Sequence, residues 1–297
     1  MIRICDAHCH FFSSTFFALL TQGQATSMEV TAKLGWEDPG LPEHLAERWV
    51  AELDRHGVAR AVLIASIPGD EDSVAAAVGQ HPARFVGSFM FNPAAADAPT
   101  RLTRALDTGA FRTVALFPAM HHYALDDRRV EQVFEEAGAR GAAVFVHCGV
   151  LSVGVRRKLG LPSPFDLRLG DPITLARTAA RYPQVPVIVP HFGAGLLREA
   201  LMAADQCANI HLDTSSSNAW MRYHPRLTLA EVFRSALEVA GPDRVLFGTD
   251  SSFFPRGWQA AIRDAQLQAL SAAGATDDQM EGIMSSNFDR LFPPVKE

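Results

Sequence analysis

Val58-Ala59-Arg60-Ala61-Val62-Leu63-Ile64-Ala65 ends in five consecutive apolar residues, with no alternation of wet and dry positions. A strand with one face in water alternates. A continuous apolar run marks a strand covered on both faces, as in parallel sheets. Similar β-rich runs occur at Ile2–Cys5, Phe85–Phe91, Phe111–Phe117, Ala143–His147, Val185–Pro190, Asn209–Leu212 and Arg244–Phe247. Helix-like stretches lie between them. Glu43–His56 sets Leu45, Trp49 and Leu53 four apart and stops at Gly57; Val130–Arg140 stops at Gly141; Leu175–Arg181 ends before Tyr182-Pro183. Leu196–Asp205, Leu229–Ala240 and Gln259–Ala273 complete the later set. Strands alternating with helices across 297 residues predict an α/β fold, a (β/α)8 TIM barrel. The rival is a doubly wound open sheet. No GxGxxG follows the first strand, which removes its commonest nucleotide-binding form.

Two connections exceed the usual length. Phe11–Leu41 separates the first strand from its helix, and Cys148–Gly170 follows the fifth strand. Both leave the C-terminal ends of strands, the active-site face of a barrel, so they are expected to form lids or substrate walls. Phe11, Phe12, Phe16 and Phe17 in the first loop form either an apolar lid or a satellite core. No linker or low-complexity tract interrupts the chain, so residues 1–297 are read as a single domain.

Lys plus Arg number 27 and Asp plus Glu 33, a net charge of −6 that disfavours nucleic acid as a partner. Cys5, Cys9, Cys148 and Cys207 are too few for a disulfide scaffold and fit a reducing compartment. No segment has the apolar length of a membrane span. Phe16–Leu20 is apolar, but Asp6, His8 and His10 precede it where a signal peptide would be uninterrupted. The mature chain is expected to begin at Met1, in the cytoplasm. The expected partner is a small-molecule substrate, without nucleic acid or membrane; a homodimer is compatible with this.

The first strand continues to Asp6-Ala7-His8-Cys9-His10. By alternation Asp6, His8 and His10 share one face, with the two histidine Cα atoms roughly 7 Å apart, close enough to hold one ion. Cys5 and Cys9 have the opposite parity and are expected to pack against the surrounding helices. His147 ends the fifth strand, His191 the sixth and Asp250 the eighth. Singly, each has a plain reading as a backbone partner or a helix cap. Together, barrel strand ends converge on one mouth, and histidines with one carboxylate make a workable catalytic zinc shell. A non-catalytic metal-binding module would account for the histidines, but not for their spread over four strand ends.

The set resembles the amidohydrolase superfamily, specifically the branch that includes aminocarboxymuconate-semialdehyde decarboxylase. The motifs are His8-x-His10, His147, His191-Phe-Gly-Ala-Gly, Asn209-Ile-His-Leu-Asp213-Thr-Ser, Phe247-Gly-Thr-Asp250 and Asn287-Phe-Asp-Arg-Leu-Phe292, spanning nearly the whole chain. The resemblance implies a (β/α)8 barrel with a divalent metal at its mouth. It implies that His8, His10, His147 and Asp250 are the ligands and that His191 lies beside the metal-bound water. Two-metal members carry a bridging lysine or acid on the fourth strand; Phe111–Pro118 has no Lys, Asp, Glu or Cys, so one ion is expected. Zinc is the first expectation, with Mn2+, Fe2+ and Co2+ as alternatives.

Such a shell makes hydroxide available near neutral pH. Asp250 is the expected proton shuttle and His191 the group that orients water or polarises substrate. The expected function is hydrolysis of a C–N or C–O bond in a small carboxylate-bearing substrate; the alternative is non-oxidative decarboxylation of an unsaturated or aromatic acid. Substrate-wall candidates are His121, His122, Tyr123, Arg156, Arg157, Lys158, Trp220, Arg222, Tyr223 and Arg256, any arginine among them suited to gripping a carboxylate. Asp213 reads either as a neighbour of the ligands or, the preferred reading, as a structural cap for the next loop; His211 reads as a packed or solvated histidine in preference to one that reaches the interior beside a ligand.

Overall fold

The computed structural model describes residues 2–215 and 219–294; Met1, the expected first residue of the mature chain, lies outside them. Strands β1 (Ile4–Phe11), β2 (Val58–Ala65), β3 (Phe85–Phe91), β4 (Phe111–Leu116), β5 (Ala143–Val146), β6 (Val187–Val189), β7 (Ile210–Asp213) and β8 (Val245–Leu246) form one parallel sheet in sequence order. Segment 247–251 closes the ring on β1. Ala7 N donates to Phe247 O (2.8 Å), Asp250 N to His8 O (2.9 Å) and His10 N to Ser251 O (2.7 Å). The TIM barrel expected from the alternation is the observed architecture.

The continuous apolar runs are explained by two dry faces. Val62 and Ile64 of β2 point inward with Val86, Met90, Ala115, Phe145 and Ile188. Ala61 and Leu63 point outward into the layer that holds Trp49 and Leu53 of helix Pro42–Arg55. Helix Glu71–Gln80, which covers β2 and β3, and helix Ala98–Asp107, which packs on β4, are additional to the helices expected from the sequence. The C-terminal Asn287–Phe292 motif closes the floor of the barrel. Phe288 and Phe292 join the inner cluster, and Asn287 Nδ2 donates to Pro242 O and Val245 O at 2.8 Å each.

β1 departs from strict alternation. Asp6 pairs with Ala61 but Cys9 with Leu63, three steps on β1 against two on β2. This bulge reverses the parity partway along the strand. Cys5, Ala7, His8 and His10 therefore face inward, while Asp6 and Cys9 turn to the outer layer. Two expectations are corrected: Asp6 does not share the histidines' face, and Cys5 packs inside the barrel rather than against the helices. Asp6 has a strong reason to turn. Its carboxylate accepts from His8 N (2.9 Å), Thr249 Oγ1 (2.6 Å) and Trp258 Nε1 (2.7 Å).

The long first connection is not structureless. It contains helix Ser14–Leu20, capped by Ser13 Oγ, and helix Ser27–Leu34, opened by a Thr26–Glu29 capping box. The connection after β5 contains helix Gly154–Leu159. The two insertions pack on each other through Phe16, Phe17, Leu20, Val30 and Val155, a satellite core above the barrel mouth. Among the described residues no helix is long and apolar enough to cross a membrane.

Candidate functional site

His8 and His10 sit near the C-terminal end of β1, and His147 follows β5 directly. His191 lies in the turn Pro190–Gly193 after β6, Asp213 ends β7, and Asp250 lies four residues beyond β8. His191 (φ 57°) and Asp250 (φ 61°) are both left-handed, a conformation that costs a non-glycine residue free energy and collects at functional sites. Asp250 is held there by its N–H to His8 O and by Gln259 Nε2 donating to its carbonyl (3.2 Å). Gly248 permits the close approach beneath the site: a Cβ there would stand 2.8 Å from Asp213 Oδ1 and 3.0 Å from His8 Cβ.

The hydrogen bonds assign the histidine tautomers. His8 Nδ1 lies 2.7 Å from Asp213 Oδ2, so Nδ1–H donates and Nε2 keeps its lone pair. The Asp213 charge raises the basicity of His8 against the opposing effect of burial. His10 Nδ1 lies 2.7 Å from Ser66 Oγ, whose hydroxyl donates to Ile64 O, so His10 too carries its proton on Nδ1. The two Nε2 atoms are 3.3 Å apart, and Asp250 Oδ1 lies 3.1 Å from His10 Nε2 and 3.8 Å from His8 Nε2. Three proton-free donors thus converge, and all candidate ligand atoms of His8, His10 and Asp250 lie within 4.8 Å of one another. Mutual repulsion of such lone pairs is relieved by a cation, so the donor set fits a divalent ion. In the ion-free site burial would raise the Asp250 pKa, but a proton on His10 Nε2 hydrogen-bonded to it, and the charge of protonated His10, His8 and His191, hold its carboxyl below the usual carboxylate range; a bound cation would take the place of those protons.

His147 is not brought into that three-residue group. Its ring centroid lies 5.3 Å from that of His191, and its buried Nδ1 has no hydrogen-bond partner among the described residues. His191 Nδ1 donates to Ser215 O (2.7 Å), leaving Nε2 free; its ring is 5.0 Å from that of His8. Burial first, then neighbouring histidine charge, lowers the pKa of both His147 and His191, so both are neutral bases near neutrality.

Residues that the sequence reading underrated hold these in place. Asp213 is fully buried, orients His8 and also accepts from Ser215 N (2.6 Å), so it is more than structural. Ser215 Oγ lies 2.8 Å from His8 Nδ1 and 3.0 Å from His191 Nδ1. The signal for Asp213 was available: it ends a barrel strand with inward parity. Ser66, one residue beyond β2, carried no sequence signal. His211 stays out of the cavity, against Asn209 O at 3.1 Å, and burial pushes its pKa down to about 4.

These groups open into a cavity of about 460 Å³. Phe12, Phe16, Trp36, Phe117, Trp220 and Phe253 wall it; of the four first-loop phenylalanines Phe12 and Phe16 are both cavity wall and satellite core, Phe17 packs in the satellite core alone, and Phe11 belongs to β1 and the main core. Of the expected substrate-wall cations, Lys158, Arg222 and Arg256 line it and Arg156 and Arg157 do not. His121, His122 and Tyr123 also lie outside; Met120 takes their place.

A profile of the family described as Amidohydrolase matches residues 5–293. No curated protein matches the sequence. An uncharacterized TIM-barrel protein of Bordetella bronchiseptica superposes with a TM-score of 0.68 at 21% identity, covering 98% of each chain. A probable 2-pyrone-4,6-dicarboxylic acid hydrolase of Acinetobacter baumannii, with citric acid bound, gives 0.64 at 14% identity over 98% of this chain and 99% of the other. A 5-carboxyvanillate decarboxylase of Novosphingobium aromaticivorans, complexed with manganese and 4-hydroxy-3-methoxy-5-nitrobenzoic acid, gives 0.63 at 16% over 98% and 96%. At these identities the likeness is one of fold.

Proposed function

The chain belongs to the amidohydrolase family, and from that premise we propose a metal-dependent hydrolase acting on a C–N or C–O bond of a small, carboxylate-bearing substrate. The convergence of His8 Nε2, His10 Nε2 and Asp250 Oδ1, each without a proton, carries the reading. We assign His147 as the fourth ligand; its unpartnered ring nitrogen beside the group supports this. One divalent ion is expected, with zinc first and manganese, iron(II) or cobalt(II) as substitutes. When bound, it would supply Lewis acidity and lower the pKa of water toward about 7. Asp250 Oδ1 is turned to His10, so Oδ2 is the oxygen that takes a proton from water and delivers it to the leaving group. His191 Nε2, neutral and aimed away from Ser215, accepts from water or steadies the substrate. The aromatic walls of the cavity exclude bulk water around them.

One observation favours a second reading. The cavity combines aromatic walls with cations that have no ion-pair partner among the described residues, which suits a flat aromatic acid, and loss of carbon dioxide is a chemistry open to such a substrate. A screen of metal-loaded protein against lactones, amides, esters and aromatic carboxylic acids separates the two. Turnover of a lactone, ester or amide supports hydrolysis. Carbon dioxide release from an acid alone overturns it and leaves the metal site standing.

A further inference from the structure

Four cavity residues from three loops form a chain of stacked contacts. The Arg256 guanidinium lies 4.5 Å from the centroid of Phe253, Phe253 stacks on Trp36 (3.7 Å, 11°), and Lys158 Nζ lies 5.5 Å from the Trp36 ring. Trp36 comes from the first long connection, Lys158 from the insertion after β5, and Phe253 and Arg256 from the segment after β8.

We propose that Arg256 is the specificity-determining residue that grips a substrate carboxylate, held in place by this stack. The idea rests on the anionic-substrate part of the proposed function. Arg256 has no carboxylate partner among the described residues. Its only hydrogen bonds there come from Nη2, to Asp250 O (3.2 Å) and Ser252 Oγ (2.7 Å). Nε and Nη1 are left for a ligand. The bond to the Asp250 carbonyl sets the guanidinium beside the metal-binding group. An anion in the cavity would meet a guanidinium whose fork no carboxylate among the described residues bonds.

The other cations fit less well. Arg156 is committed to Pro162 O through Nε (3.0 Å) and Nη2. Arg222, exposed as Arg256 also is, bonds only the adjacent Tyr223 hydroxyl (2.8 Å) and, among the described residues, no member of the metal-binding group. Lys158 is a point charge at the outer end of the stack and lacks a planar fork.

The test is calorimetric binding of benzoate, isophthalate and neutral benzamide to protein whose metal content has been measured. Wild type should bind the carboxylates more tightly than benzamide. Arg256→Gln should weaken carboxylate binding about 10- to 100-fold while leaving benzamide within about threefold. Arg256→Lys should fall between, because charge remains and the fork is lost. Arg222→Gln should change little, and metal content should be unaltered throughout. The proposal is overturned if wild type binds no carboxylate, if Arg222→Gln loses as much as Arg256→Gln, or if Arg256→Gln loses its metal together with binding. Protein that holds no metal yet binds carboxylates through Arg256 would sustain this inference and refute the proposed function.

Discussion

Replacing Asp213 with Asn tests how the site is held ready. Asp213 Oδ1 accepts from Ser215 N at 2.6 Å, and Oδ2 accepts from His8 Nδ1 at 2.7 Å. An asparagine keeps its oxygen on the Ser215 N–H, because a backbone donor cannot reverse. Its NH2 group then faces His8 Nδ1. Two donors cannot meet, so His8 shifts to the tautomer with its proton on Nε2, aimed at His10 Nε2 3.3 Å away. The lone pair needed for the ion is removed from the site, and binding must first reverse the tautomer. Outer partners of ligating histidines typically contribute 10- to 100-fold in metal affinity, about 1.4–2.8 kcal/mol. Asp213→Asn should therefore bind zinc or manganese about 10- to 100-fold more weakly in chelator-competition titrations, with a thermal midpoint near that of wild type. Metal affinity within about threefold of wild type would refute the tautomer argument.

His191→Ala should keep its metal and lose about 10²-fold or more in kcat; loss of the metal itself would make His191 a ligand. His147→Ala should weaken metal binding measurably in the same titration, and unchanged affinity would remove it from the ligand set. Asp70 supplies a pH test remote from the chemistry. Burial pushes its carboxyl up to about 7 although Ser13 Oγ donates to Oδ1 at 2.7 Å, and Oδ2 has no partner among the described residues. A carboxyl raised in the folded state adds stability at low pH that is lost as pH rises toward 7, approaching ~4 kcal/mol at most. Asp70→Asn should therefore be increasingly more stable than wild type as pH goes from about 4 to about 7, levelling off above, and a thermal-midpoint difference independent of pH would contradict this.

The barrel was legible because its strands are dry on both faces, a property written in runs such as Ala61–Ala65. His8, His10, His191 and Asp250 were legible because strand ends converge whatever the intervening loops do. The β1 bulge was not. It depends on Asp6 finding Thr249 and Trp258, more than 240 residues away, and alternation knows nothing of such a partner. The arginine that sits beside the metal-binding group was hidden for the same reason. Arg256, Arg222 and Arg156 look alike in sequence, and only the fold shows which of them meets Phe253 and bonds the Asp250 carbonyl. The two helices of the first connection were partly legible, since Thr26 and Glu29 have capping-box spacing.

The central claim is that His8, His10 and Asp250 form the core of a single-ion site. Elemental analysis of protein expressed with zinc and manganese supplied, alongside His8→Ala, His10→Ala and Asp250→Ala, tests it most directly. The account predicts about one ion per chain in wild type and almost none in each variant, with circular dichroism showing all four folded, since a catalytic ion seldom holds a core of this size together. An ion-free wild type, a second stoichiometric ion, or variants that keep the full complement would contradict it.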